Sequence, residues 1–402
     1  MLCESSILFG ELPMSLASLD AYDVSADYGF LCGFDPLSVE VPDCLAPAAT
    51  LGAELPDLLV TSSARRAIDA LETVDPDALA DVDDVRALRV SLVHYTFLEQ
   101  AYVWGESVTP DSLPRSIAQP LWALAERVGQ PPILTYSQYV LDNWSKLDPK
   151  SDVSLGNARM VQRFLGGADE AWFVLIHVAI EAAAAPMLAS IPSTIDAARA
   201  MDSSDLTDRL GAMVATWDRM IAVFDRMPDY CDPYVYFHRV RPWIHGFTDN
   251  PALPNGIVYE GVEATGGKPQ RFRGQTGSQS SIVPVMDALL SVGHHQDPLR
   301  RYLDELHEYR PPGHRRFIED VRKESGVRDA VKTIDDPRLT SAYNECLDRL
   351  TRFRTRHLEY AAHYIQKQSH GGKGNDTAVG TGGTPFMKYL KKHRDEAAQH
   401  RL

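Results

Sequence analysis

An all-helical fold in two unequal domains is what this sequence predicts. Three observations carry the prediction. Apolar residues recur at steps of three and four from Ser62 onward, no run of alternating β-branched residues is long enough for a sheet strand, and the polar stretch 145–157 interrupts the pattern. The 402 residues leave room for two or three domains at roughly 150 residues each. A composition of 44% apolar and 24% charged residues is enough to bury a core. The expected division is a smaller, mostly helical domain over 1–150 and a larger helical domain over 151–402.

Taken in order, residues 1–60 are rich in Pro, Gly, Asp and Ser, and read as irregular structure wrapped on a domain. Helices are expected over 64–74 and 85–104, the second with Leu88, Leu92, Tyr95, Leu98 and Tyr102 on one face. Two more, 114–128 and 133–144, are separated by the helix stop Gly129-Gln130-Pro131-Pro132. Residues 171–191 form the most apolar stretch. It carries His177, Glu181 and Pro186, which favours a buried helix over a membrane span. Further helices are expected near 194–228, 233–246, 280–293, 297–309 and 339–367. Two connections break the pattern: 248–277, and the glycine-rich 370–383. Long loops of this kind in helical proteins are lids or binding loops, and the second reads equally well as disorder.

Charge and cysteine content narrow the function. Forty Lys and Arg against 55 Asp and Glu give a formal net charge of -15. An acidic chain is a poor partner for nucleic acid or an anionic membrane, so no nucleic acid and no membrane is expected. A small apolar or zwitterionic ligand is the easier partner. The five cysteines (Cys3, Cys32, Cys44, Cys231, Cys346) are odd in number and contain no Cys-x-x-Cys, which argues against a disulfide framework and a zinc knuckle. The N-terminus lacks the basic start and apolar stretch of a signal peptide, and the chain reads as cytosolic.

The helix ending near Gln368 is the most informative. Its apolar stripe runs Tyr343, Cys346, Leu350, Phe353, His357, Ala361, Tyr364, so His357 sits on the core face with Arg354 one turn earlier. A core histidine is more often a packing residue than a ligand. A lone axial histidine beside an arginine is nevertheless what haem needs: imidazole for the iron, guanidinium for a propionate. His177 and Glu181, four apart, share a face and suit a metal, although a buried His–Glu hydrogen bond is the commoner outcome. His238 and His245 are two turns apart, too far to share an ion. His294-His295 look like solvent residues. Gly380-Thr381-Gly382-Gly383-Thr384 follows a helix and lacks the Gly-Lys-Ser/Thr ending of a phosphate loop. No Gly-x-Ser-x-Gly elbow occurs.

Several stretches together resemble the indoleamine 2,3-dioxygenase family. They are Tyr28-Gly29-Phe30-Leu31, Ala101-Tyr102-Val103-Trp104-Gly105, Pro131-Pro132-Ile133-Leu134-Thr135-Tyr136, Asn143-Trp144, Ile180-Glu181-Ala182-Ala183-Ala184, Val258-Tyr259-Glu260-Gly261, Gln279-Ser280-Ser281, Tyr309-Arg310-Pro311-Pro312-Gly313-His314-Arg315, Arg354 with His357-Leu358, and Gly380-Thr381-Gly382-Gly383-Thr384. They appear in the family's order over essentially the whole chain. The resemblance implies a haem b enzyme, with O2 as co-substrate and an external reductant for the iron. Its substrate would be L-tryptophan or a related indole, opened at the indole C2–C3 bond to N-formylkynurenine.

Residue by residue, the resemblance implies that His357 is the iron ligand and that Arg354 lies beside a propionate, oriented by Asp287. Tyr136, Tyr139, Phe173, Phe224 and Tyr236 would wall the indole pocket, with Phe224 also against the cofactor. Arg241 would grip the substrate carboxylate, Thr276 and Gly277 lie on the loop above the haem, and Thr381 on the loop that closes over the amino acid. The sequence departs from the family at His177, where the animal enzymes have serine, and at Tyr139 and Tyr236, which replace a smaller residue and a phenylalanine. A distal histidine is a trait of the related tryptophan 2,3-dioxygenase. His177 is therefore expected to hydrogen-bond the substrate or bound oxygen. The more polar pocket leaves open a monooxygenase acting on an indole or aromatic amino acid, as well as a non-catalytic haem sensor.

Overall fold

The structure, a computed structural model, describes residues 16–294, 298–368, 381 and 386–402. The glycine-rich segment 370–383 lies outside the described residues except for Thr381, as do Cys3 and His295. The helices in chain order begin with α1 (Ala46–Val60), α2 (Ala64–Asp69), α3 (Pro76–Ala80), α4 (Val85–Trp104) and α5 (Arg115–Val128). They continue with α6 (Ala168–Arg199), α7 (Ser203–Phe224), the single turn α8 (Pro233–Val235) and α9 (Ile282–Leu289). The last five are α10 (Pro298–His307), α11 (Pro312–Glu324), α12 (Val327–Ile334), α13 (Pro337–Ala361) and α14 (Phe386–Ala398). Strands among the described residues are two-residue pairings. β1 (Ser112–Leu113) runs parallel to β4 (Val258–Tyr259), and β2 (Ser145–Lys146) antiparallel to β3 (Ala158–Arg159). The expected mainly helical fold is what forms.

α6 is the spine. By length and composition it is the one described helix that could cross a membrane, but most of its apolar stretch is buried inside the protein. At 1.5 Å per residue its 32 residues span about 48 Å. It runs through Pro186 and Pro192 without stopping. The expected break near residue 192 falls instead at Met201, whose φ of 53° is left-handed, and at Asp202, whose side chain accepts from the Asp205 amide to start α7. Buried apolar surface on α6 outweighs the hydrogen bonds its prolines forfeit. Gly29, at φ +65°, lets the N-terminal segment press onto this spine, since a Cβ there would lie 2.7 Å from the Glu181 carbonyl oxygen.

Other expectations need correction. Residues 46–60 form α1 rather than irregular structure, burying Ala48, Gly52 and Leu55. The expected helix 133–144 is only one π-helical turn, Ser137–Leu141. The expected helix 233–246 divides into α8, a π-helical turn Tyr236–Val240 and a 3-10 turn Arg241–Ile244. α13 also ends in a π-helical turn, Ala362–Gln366. Helices α11, α12 and α14 were not anticipated. The described cysteines, Cys32, Cys44, Cys231 and Cys346, are free thiols, as expected.

Candidate functional site

α13 packs against α7 through aromatic contacts: Trp217 on Phe353 with centroids 5.4 Å apart, and Phe224 on Phe353 at 5.3 Å. That packing fixes the rotation of α13 and turns His357, one turn beyond Phe353, toward the interior. Across from it, α6 presents Phe173, His177 and Glu181 at steps of four on one face. Between them lies a cavity of about 390 Å³, whose walls include Tyr136, His177, Glu181, Asp287, Arg354 and His357. A second, of about 130 Å³, adjoins it and is lined by Phe173, Tyr236, Thr276 and Thr381. His177, Phe224, Gly277 and His357 border both.

The His357 ring takes part in no hydrogen bond among the described residues. Burial, reinforced by the nearby His177, pushes its pKa down to about 4, so the imidazole is neutral and presents a lone pair. Its ring lies 6.4 Å from Phe224. A Cβ at Gly277 would lie 4.0 Å from its Nε2, so glycine keeps that face of the imidazole clear. Arg354 is buried, and its Nη2 donates to Asp287 Oδ2 at 2.5 Å. Its Nη1 is buried without a partner. Burial works against the Asp287 carboxylate, but Arg354 and His294 outweigh it and hold the group at about 2.

His177 is tied down by a different device. Its Nδ1 lies 2.7 Å from the Phe173 carbonyl oxygen one turn back. A carbonyl can only accept, so Nδ1 carries the proton. Burial lowers the pKa despite that bond, leaving the ring neutral with Nε2 as an acceptor. Its ring stands 4.7 Å from Phe173 and 6.2 Å from Tyr136, and Phe173 stands 4.7 Å from Tyr236. The expected His177–Glu181 pair does not form. Glu181 Oε1 accepts from Tyr136 Oη at 2.9 Å and Ser280 Oγ at 2.8 Å, while Oε2 is buried without a partner. Burial raises this carboxyl to about 7 despite both hydrogen bonds.

The loop over the cavities is held by residues whose role the sequence reading missed. Gln279 accepts the Tyr136 amide at 2.9 Å, donates to the Gly274 carbonyl at 3.1 Å and completes a capping box with Thr276. Arg310 donates to the carbonyls of Ser278 and Ser280 at 2.7 and 3.2 Å. Thr381 Oγ1 donates to the Gln275 carbonyl at 2.5 Å. The signal for these roles was present in Gln279-Ser280-Ser281 and in Arg310, but hydrogen bonds across 30 or more residues leave no periodic trace.

Two predicted residues stand further back. Tyr139 borders neither cavity. It lies behind Phe173 at 6.4 Å, stacked against Phe97 at 5.9 Å. Arg241 is fully buried, its guanidinium 5.4 Å over the Phe237 ring, and also borders neither cavity. His294 is not a solvent residue: its side chain is 6% exposed, set between Asp287 and Glu396. The burial of α14 against α13, which nothing in the local pattern announced, is the reason.

Fold and site define an all-helical protein whose interior cavities are built around a neutral imidazole that no described group hydrogen-bonds. The chain belongs to the indoleamine 2,3-dioxygenase family. The profile described as Indoleamine 2,3-dioxygenase matches residues 18–400. Identity to Indoleamine 2,3-dioxygenase 1 of Rattus norvegicus is 33% over 390 residues, covering 94% of each chain. Identity to Indoleamine 2,3-dioxygenase of Saccharomyces cerevisiae is 30%, over 95% of this chain and 93% of that one. A chain named Myoglobin from Haliotis diversicolor is 31% identical over 95% of this chain and 98% of its own.

Proposed function

We propose that this chain is a haem-dependent dioxygenase that opens the indole C2–C3 bond of L-tryptophan, or of a related indoleamine, to give N-formylkynurenine. The observation that carries the reading is the neutral His357 imidazole, which borders both cavities and takes part in no side-chain hydrogen bond among the described residues. The surrounding residues fit a haem. Arg354 offers to a propionate a buried Nη1 that has no partner among the described residues, and Gly277 leaves the face of His357 clear. Bound there, haem supplies dioxygen binding and activation, with an external reductant keeping its iron ferrous.

The chain's own residues orient the substrate. Phe173, Tyr236 and Tyr136 supply aromatic walls for the indole, and Phe224 packs between that pocket and His357. His177 Nε2, held as an acceptor by the Phe173 carbonyl, takes the indole N–H. That orientation favours a contact with the substrate over one with bound oxygen, which needs a donor. Arg241 is the fixed cation for the carboxylate, matched by its bidentate fork. It lies outside the cavity walls, so engaging it requires its side chain or the wall in front of it to move as the amino acid enters. Thr276 and Thr381 border the smaller cavity, where the amino-acid end of the ligand would lie. Exclusion of water from the occupied cavity strengthens each polar contact.

The relative named Myoglobin favours a second reading, oxygen binding without turnover. The two separate when haem-loaded, reduced protein is given L-tryptophan in air. Multiple turnovers of N-formylkynurenine support the dioxygenase, whereas reversible oxygen binding without product supports the carrier.

A further inference from the structure

Behind Arg354, a second group of donor side chains converges from two elements. His294, in the segment after α9, places Nδ1 2.6 Å from Glu396 Oε2 on α14. His393, one turn before Glu396 on the same face of α14, sets its ring 4.5 Å from that of His294, 36° from parallel. Candidate ligand atoms of all three residues lie within 4.8 Å of one another. Around a tetrahedral ion with bonds of about 2.0–2.1 Å, ligand atoms stand roughly 3.3 Å apart, so small side-chain rotations suffice to enclose one.

We propose that His294, His393 and Glu396 form a divalent transition-metal site of the zinc class, joining α14 to the wall of the larger cavity. Two imidazoles and one carboxylate are a donor set suited to zinc, with a fourth position left for water. The far nitrogen of His294, Nε2, lies 3.1 Å from Asp287 Oδ2. A carboxylate on the distal nitrogen is how metal-binding histidines are held in one tautomer with the other nitrogen facing the ion. A purely ionic cluster accounts for His294 between two carboxylates, but it gives no role to His393. That ring lies 4.5 Å from the ring of His294, with its ligand nitrogen in reach of both His294 and Glu396. Lys392, 3.4 Å from Glu396 Oε1, and Arg354 are the cations at the rim. Occupancy would pin the carboxylate that orients Arg354. The inference does not depend on what His357 binds.

The test uses the full chain loaded with haem, so that His357 is already engaged. Zinc bound per chain is measured by equilibrium dialysis against buffered free zinc. The wild type is expected to take up one zinc at micromolar free metal. His393→Ala and Glu396→Gln are each expected to raise the dissociation constant at least about tenfold. His363→Ala, at an exposed histidine of the π-helical turn after α13, is expected to leave it unchanged. Far-UV circular dichroism checks that each variant keeps its helices, and Glu396→Gln preserves side-chain shape should His393→Ala unfold. No zinc taken up by the wild type, or uptake undiminished in the folded variants, overturns the proposal.

Discussion

Replacing His177 by alanine separates a recognition role from a packing role. Nδ1 is committed to the Phe173 carbonyl, so the only polar atom His177 can offer the cavity is the Nε2 lone pair. Removing it leaves the indole N–H buried with no acceptor, a loss of about 1–3 kcal/mol, or roughly 5- to 150-fold in kcat/KM for L-tryptophan. For 1-methyl-L-tryptophan, which has no N–H to place, the variant is expected to change kcat/KM by less than about threefold, a packing-scale effect. Steady-state assays with both substrates give the ratio directly. A pH profile adds an independent readout. The wild type should lose activity on tryptophan in acid with an apparent pKa below 6.5, as Nε2 gains a proton and ceases to accept, and the variant should lack that limb. Equal losses on both substrates, or none, would refute the acceptor role.

Other perturbations have defined outcomes. His357→Ala should abolish the Soret band after haem addition while far-UV circular dichroism stays unchanged, since the ring has no hydrogen-bond partner to lose among the described residues. Asp287→Asn should destabilise the protein near pH 7 by on the order of 2 kcal/mol, measured by urea unfolding. Its carboxyl is depressed from 3.8 to about 2, so the wild-type advantage is present above the unfolded value and disappears as pH falls through the folded one. Glu181→Gln should behave in the opposite sense. This carboxyl is raised from 4.5 to about 7, so the wild type is most stable below 4.5 and loses stability as pH rises through 7. The variant should match it in acid and exceed it by on the order of 2–3 kcal/mol at alkaline pH.

Helical periodicity revealed α5 and α13 because each buries one face over several turns, and it placed His357 on the inner face of α13; α4 was read from the same spacing although it is buried on all sides from Ala87 to Ala101. It failed where the backbone departs from the 3.6-residue period. The turns 137–141, 236–240 and 362–366 are π-helical, and each bears a tyrosine at or just behind the site: Tyr139, Tyr236 and Tyr364. Such turns occur often at functional sites, and an extra residue per turn shifts every later side chain around the axis, which sequence spacing does not register. Residue identity located His177, but the partner that fixes its tautomer is a backbone carbonyl and leaves no signature of its own. The Asp287–His294–Glu396 chain was invisible because His294 and Glu396 lie 102 residues apart and meet only once α14 packs against α13. Arg241 was located only through the resemblance to the family, and its depth beneath the cavity wall was not legible.

The most direct test of the whole account is the mass of the product formed from L-tryptophan under isotopically labelled dioxygen by the reduced, haem-loaded protein. Two labelled oxygen atoms in N-formylkynurenine are the predicted result. A single labelled atom in an intact indole would contradict ring opening and assign the same cavity to monooxygenation.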